Sequence, residues 1–574
     1  MAQTSASFWQ RNGWIKWVGG GLLVAVAVLA AIVSMVLHRA EPFVRARIVE
    51  ELQVRFHARV ELDSFHMSLA DGLWAEGKGL RIWPPARRPD LAPGTASQVD
   101  GASVPVPDVP MISLADFRFH APLYYRPGKP FHISLVQLKG LDIHLPPRSY
   151  FAQAASGDTS KPKSGSPLVG FEIGNIDCSG ANLVLETSKP GKLPLNFAIA
   201  HLKLTHVSSN GPMSFEADLT NPRPVGIIHT TGSFGPLPVS NPNESSQGQG
   251  PVLGDPGESP VAGNYRFDHA DLGGFKGIAG ILSSTGHYQG TLRDLVVDGE
   301  TDTPDFRLTH FGNALPLHTN FHAKVDGTNG DTWLEPVEAT LGHSRFTAKG
   351  QIVRVIAAEA GEPPHSIGHD IDLAVNVDRG RIEDFLRLAS HSDTPLLTGV
   401  VAVKTKLHIP PGTPPVHERL ILNGSFKLDD ARFSNTKIQD RIAQLSMRGQ
   451  GRLKDSKTTD STTIESTMQG DFQMAAGVIT LPNLKYTVPG AEIDLKGTYG
   501  VEGGALNFTG AAKLQATVSQ MVGGWKGMLL KPVDRYFKKD GAGTEVPIHI
   551  EGTREDPRFG IDFDRLKGSS AEHR

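Results

Sequence analysis

Apolar and polar residues alternate along most of the chain beyond residue 60. Val60 and Leu62 alternate with Glu61 and Asp63, and Phe65, Met67 and Leu69 with His66 and Ser68. The same period recurs at Phe117/Phe119, Phe131/Ile133/Leu135, Leu141/Ile143/Leu145, Phe171/Ile173, Leu183/Leu185, Leu195/Phe197/Ile199 and Met213/Phe215/Ala217/Leu219. It continues at Phe306/Leu308, Phe321/Ala323/Val325, Ile371/Leu373/Val375/Val377, Phe426/Leu428, Ile493/Leu495, Leu506/Phe508 and Ile548/Ile550. A period of two belongs to a strand with one apolar and one polar face. Such strands favour antiparallel pairing with one side wet. Asn210-Gly211, Asn329-Gly330, Asn423-Gly424 and Gly503-Gly504 supply tight turns between runs. The predicted fold class is therefore mainly β, an elongated antiparallel sheet.

Two segments ahead of the strands read differently. Trp17 to Leu37 is 21 residues without a charge, with Ser34 the only clearly polar one. At 1.5 Å per residue it spans roughly 30 Å, the thickness of a bilayer core. Trp9, Trp14 and Trp17 stand where an interfacial belt would. The run ends in Val36-Leu37-His38-Arg39-Ala40, without a small-x-small cleavage site. We expect an uncleaved anchor over 14–38 behind a cytoplasmic tail, 1–13. Arg11 and Lys16 before the run, against Arg39, Arg45 and Arg47 after it, slightly oppose that orientation, but a long following domain translocates largely regardless of charge. Next, Val44, Ile48, Leu52 and Phe56 recur every four residues behind Pro42, predicting an amphipathic helix within 41–59. Shorter helical patterns appear at Arg381–Leu388 and Ala516–Lys539.

Composition narrows the classes. With 574 residues the chain exceeds a single ordinary core, so several domains or an elongated repeat-like architecture is expected. A net charge of −3 argues against a nucleic-acid partner. The 62 Gly and 41 Pro fit many turns and few helices. Ala86–Pro110, Ala152–Pro167, Pro236–Pro260, Ala357–Pro364 and Lys454–Thr463 read as loops, because the strand pattern resumes after each. The lone Cys178 allows no internal disulfide and reads as a buried, inert thiol.

No catalytic grouping emerges: no His-Glu-x-x-His, no phosphate-binding loop, no Gly-x-Ser-x-Gly elbow. Asp326-Gly-Thr-Asn-Gly-Asp331 resembles part of a calcium loop, lacks its spaced acids and terminal Glu, and reads as a hairpin turn. His318 and His322 share a strand face with Asn320 and, without a third ligand, read as solvated. The acceptor patterns at Asn243, Asn423 and Asn507 matter only in a eukaryotic secretory pathway, of which there is no sign. Expectations are thus no enzyme, no cofactor and no metal.

The start of the chain, anchor, amphipathic helix, Val60-Glu-Leu-Asp-Ser-Phe-His-Met-Ser-Leu69 and Gly77-Lys-Gly-Leu-Arg-Ile82, resembles the AsmA-like proteins of Gram-negative envelopes. Near the end stand Gly424-Ser-Phe-Lys-Leu-Asp-Asp-Ala-Arg-Phe433, Phe472-Gln-Met-Ala-Ala-Gly-Val-Ile-Thr-Leu-Pro482 and Ala491-Glu-Ile-Asp-Leu-Lys-Gly497. Val546-Pro-Ile-His-Ile-Glu-Gly-Thr553 and Asp556-Pro-Arg-Phe559 follow, and the series is similar to the C-terminal region of that family. The resemblance implies a repeating β-groove, a sheet curled into a gutter along which lipid acyl chains slide. It divides the chain into a β-groove region over 60–416, an AsmA-like C-terminal region over 417–566 and a disordered tail, 567–574. It also implies an inner-membrane, single-pass protein with its bulk in the periplasm, acting in phospholipid transfer to, or homeostasis of, the outer membrane. Expected partners are phospholipid acyl chains, the inner membrane through 14–38, and the outer membrane or envelope proteins.

The groove candidates are Phe131, Ile133, Leu135, Phe197, Ile199, Phe215 and Leu219, with Ser134, Asn196 and Glu216 facing water. Membrane contact is expected of Trp525, Lys531, Arg535, Lys538 and Lys539, in a basic amphipathic element that Gly523-Gly524 and Pro532 would kink. A closed sandwich is the rival architecture. A scaffold assisting outer-membrane protein assembly through sheet-edge pairing is the rival function, and an anchored hydrolase a weaker one.

Overall fold

The computed structural model describes residues 39–561 apart from 40, 51, 54–57, 69–73, 84–108, 121–130, 147–170, 188, 190, 209–210, 223, 237–238, 241–251, 254–255, 276, 312, 358–364, 391, 393, 452–463, 518 and 521–542. The fold is mainly β, a curled, open sheet with few helices. Two units divide the chain. The first holds Met1–Ser188, Pro194–Leu219 and Thr230–Ala262; the second holds Lys189–Leu193, Thr220–His229 and Gly263–Arg574. No helix among the described residues is long and apolar enough to cross a membrane, and the expected anchor at 14–38 lies outside them.

In the first unit, residues 41–50 are helical as the four-residue stripe predicts. Val44, Ile48 and Val49 pack against the sheet's apolar cluster, and Leu52 packs with Val60, Ile82 and Met111. Two polar contacts fix the helix: Glu41 Oε1 accepts the Met67 N–H at 3.0 Å, and Arg45 donates to the Leu62 carbonyl. Strands Trp74–Ile82, Ile112–His120 and Phe131–Leu145 then pair antiparallel in sequence.

The next pairing corrects the all-antiparallel expectation. Phe131–Leu145 and Phe171–Leu185 run parallel, Phe131 opposite Phe171 and Leu145 opposite Leu185. A parallel pair needs a connection of a dozen residues or more, since a tight turn reverses direction. The segment Ala152–Pro167 supplies that length.

The second unit is a long antiparallel meander. From Ile281–Thr291 to Pro557–Ile561, each strand pairs with the next in sequence. Ile382–Leu388 is helical, one residue inside the predicted span. A helix at Thr436–Gly449 was not expected. Asn435 caps it, its Oδ1 accepting the Ile438 N–H at 3.4 Å and its carbonyl the Gln439 N–H at 3.0 Å, while Gln439 Oε1 accepts the Phe433 N–H. Ile438, Ile442 and Leu445 place its apolar side against Val401, Leu428 and Tyr486.

Candidate functional site

The first unit's apolar face departs from strict alternation. Leu114 and Phe117, Leu138 and Leu141, Cys178 and Ala181, and Ile199 and Leu202 are each three residues apart, yet all belong to one apolar cluster. Register explains it. Gly77, Phe117, Leu138, Cys178 and Leu202 form one row across five strands; Leu80, Leu114, Leu141, Ala181 and Ile199 form the next. Between the rows each strand carries two residues instead of one, so the inward parity changes in all five strands along a single line. Gly79, Gly140 and Gly180 lie on it with φ of 65°, 62° and 68°. That left-handed backbone strains any residue with a Cβ.

This line decides which groove candidates share a face. Ile199 is in the cluster, Phe215 and Leu219 pack against it, and Phe197 stands opposite Leu183, which does too. Ile133 and Leu135 do not join them. Register is continuous from Leu135 opposite Asn175 to Leu138 opposite Cys178, so the pleat turns Leu135 to the other side, while Ile133 stands beyond a break in the ladder at Ser134, Gly174 and His206, the last with φ of 58°. The side chain of Phe131 lies outside the described residues. Ser134, Asn196 and Glu216 are exposed. Cys178 is buried at 1% exposure, and burial, with Asp177 adding to it, pushes its thiol up to about 11.

Sequence reading missed the row that the second unit builds. Leu373, Leu407, Leu422, Met474, Ile479, Tyr499 and Leu506 are successive cross-strand partners over seven strands. On the other side Leu373 continues through Gly350, Leu334, Ala323 and Val297 to Tyr288. Met474 is buried; the other six of the seven are half-buried. The apolar side chains thus line up perpendicular to the strands at about 4.8 Å per step. Individually each sits in an ordinary alternating run, and only register reveals the row.

Glycines recur beside aromatic rings near it. Gly424 faces Phe472 and Gly470 faces Phe426, with those two rings 6.3 Å apart. Gly497 faces Phe508, and a Cβ on it would fall 2.7 Å from the ring. At Gly497 the missing side chain lets the ring lie on backbone. A few residues away, the helix Thr436–Gly449 covers the row containing Val401, Leu428, Met468, Tyr486 and Ile493.

The opposite face is polar. His287, Asp298 and His322 are successive cross-strand partners, with His322 Nδ1 2.6 Å from Asp298 Oδ1. His318 Nδ1 lies 2.8 Å from Asp302 Oδ1. Each imidazole thus has a carboxylate partner.

The segment Asp326–Asp331 is a hairpin turn, as read: Val325 and Thr332 pair across it. It is also the densest buried polar cluster described. The Asp326 carboxylate accepts from Thr328 N–H at 2.9 Å, Thr328 Oγ1 at 2.6 Å and Asn329 Nδ2 at 2.9 Å. Lys189 Nζ stands 2.7 Å from Asp326 Oδ2, and Lys192 Nζ 2.9 Å from Asp331 Oδ1. Where a calcium loop would place an ion, two ammonium groups neutralise the acids. Burial alone would raise the Asp326 pKa, but Lys189 and the Thr328 hydrogen bonds outweigh it, and the net shift is downward. Nothing local to the turn announces lysines that are more than a hundred residues earlier in sequence.

Trp525, Lys531, Arg535, Lys538 and Lys539 lie outside the described residues. No family model, no curated protein and no solved structure matches the chain.

Proposed function

We propose that this chain is an AsmA-like β-groove protein, anchored in the inner membrane by 14–38, that carries phospholipid acyl chains along its apolar sheet face and so serves lipid transfer to, or homeostasis of, the outer membrane. The observation that carries the reading is the half-buried row from Leu373 through Leu407 and Leu422 to Leu506. An apolar face normally acquires a second protein layer. This row is partly open, and an acyl chain laid across the strands would cover it at about 0.8 kcal/mol per buried CH₂. The family and the envelope location rest on the sequence motifs at the two ends of the chain. The proposed role is non-enzymatic: the Asp326 cluster is internally neutralised and reads as a structural turn.

The test is extraction of lipid from the purified full chain followed by mass spectrometry. Bound phospholipid is expected in the parent and a marked loss in Leu407→Asp and Leu422→Asp, with far-UV circular dichroism unchanged. Parent protein devoid of lipid defeats the reading. Cooperative unfolding of both variants would instead mark a closed protein core.

A further inference from the structure

His408 stands between two carboxylates on the polar face of the second unit. Nδ1 lies 2.8 Å from Oδ1 of Asp372, its direct cross-strand partner. Nε2 lies 3.7 Å from Oδ1 of Asp370. Asp370 and Asp372 are two positions apart on the strand His365–Arg381, so both carboxylates leave the same face. Among the described residues this is the one place where three such side chains bring ligand atoms within 4.8 Å of one another.

We infer that Asp370 and His408 form a binding site for a borderline divalent cation such as Zn²⁺, with Asp372 orienting the imidazole. The 2.8 Å contact is a hydrogen bond in which Nδ1–H donates to Asp372. In neutral imidazole that leaves the Nε2 lone pair facing the Asp370 oxygen. Two acceptors in that position repel unless a proton or a metal cation lies between them. The 3.7 Å gap admits two metal–ligand bonds of about 2.0–2.2 Å meeting at a wide angle. A carboxylate on the far ring nitrogen is the usual support of a metal-bound histidine, fixing its tautomer and raising its basicity. Imidazole favours zinc, copper or nickel over calcium and magnesium, which prefer oxygen ligands throughout.

Surroundings leave the remaining coordination positions to water. Asp370, Asp372 and His408 side chains are 33%, 50% and 37% exposed. Gln351 and Ile421 are the next partners outward in the ladder from Asp372 and His408. Lys406, two positions along from His408, is a cation on this face and opposes the bound ion.

The experiment is calorimetric titration of the chelator-treated full chain with zinc sulfate at neutral pH. The parent is expected to bind one equivalent more than His408→Gln or Asp370→Asn. Asp372→Asn is expected to keep that equivalent with affinity lowered about 10–100-fold. His318→Gln, which removes a different exposed His–Asp pair, is expected to keep it unchanged. Equal zinc stoichiometry in the parent, His408→Gln and Asp370→Asn overturns the inference. Circular dichroism of each variant separates a lost site from a lost fold. Should the variants misfold, cobalt absorption of the parent decides: a band from nitrogen and oxygen ligation is expected, and no band overturns it. The site stands independently of the lipid reading, and neither titration outcome bears on bound phospholipid.

Discussion

Phe117 lays its ring across Gly77, its direct cross-strand partner, so closely that a Cβ on Gly77 would fall 2.2 Å from the ring's Cζ. Glycine here is a space requirement. Gly77→Ala is expected to destabilise the protein by about 1–3 kcal/mol through overpacking. Gly180 differs: its φ is 68° and nothing lies within 4 Å of a built Cβ, so Gly180→Ala should cost only backbone strain, about 1–2 kcal/mol. Urea denaturation followed by circular dichroism compares the two, and an unchanged midpoint for Gly77→Ala would refute the packing account.

Lys192 holds Asp331 in a buried place, the two side chains being 14% and 6% exposed. Lys192→Met should destabilise by about 3 kcal/mol, because it leaves the buried Asp331 carboxylate only the more distant Lys189, 3.9 Å away, as a cation. The Arg354 N–H, donating to Asp331 at 3.0 Å, limits the loss. A thermal midpoint within a degree of the parent would show that the pair does not hold the turn.

Acid should loosen the same turn. The Asp326 carboxyl titrates below its ordinary value in the folded protein, so its stabilising contribution is present above about 3.9, the unfolded value. That contribution is lost as pH falls through the lower folded value. The stability difference between the parent and Asp326→Asn should therefore be constant near neutrality and shrink in acid. Denaturation midpoints of both proteins across an acid series check the sign, and a difference that grows on acidification would reverse the argument.

Cys178 should be inert. With the thiol buried and its pKa pushed up to about 11, almost no thiolate exists near neutrality. Ellman's reagent should leave the native chain unreacted over hours and titrate one thiol after unfolding in guanidinium. Rapid reaction in the native state would mean that the first unit's sheet opens.

Phe197 and Leu135 provide a test of face. Phe197 shares the side of Ala181 and Leu183, whereas Leu135 lies on the side opposite Leu138. Under the lipid reading, Phe197→Asp lowers co-purified phospholipid and Leu135→Asp does not. Equal loss in both would show that bound lipid does not follow the apolar face.

Strands, the Asn329-Gly330 turn and the first amphipathic helix were legible because each depends on local spacing, whereas Asn423-Gly424, expected to turn, lies inside the strand Ile421–Phe433, paired on both sides. Val44 and Ile48 carry the helix, Asn329-Gly330 the turn, and period-two runs the strands. The helix Thr436–Gly449 was legible in principle from Ile438, Ile442 and Leu445, but stands among strand-like runs that masked it. The parallel pair left only one trace, the long segment before Phe171. What no local pattern holds is register. Lys192 beside Asp331, Leu407 beside Leu422 and His408 beside Asp372 are juxtapositions set by how one strand is offset against the next, and the site lies in those offsets.

The line through Gly79, Gly140 and Gly180 behaves as a phase boundary. On either side of it each strand obeys the same rule of alternation, but odd and even exchange meaning. A saturation scan of the first unit would therefore show tolerance oscillating with a period of two and inverting where each strand crosses this line. Mapped onto the ladder, those inversions would fall into a transverse stripe. A one-residue deletion at the stripe would restore simple alternation in that strand and set half of it out of step with both neighbours.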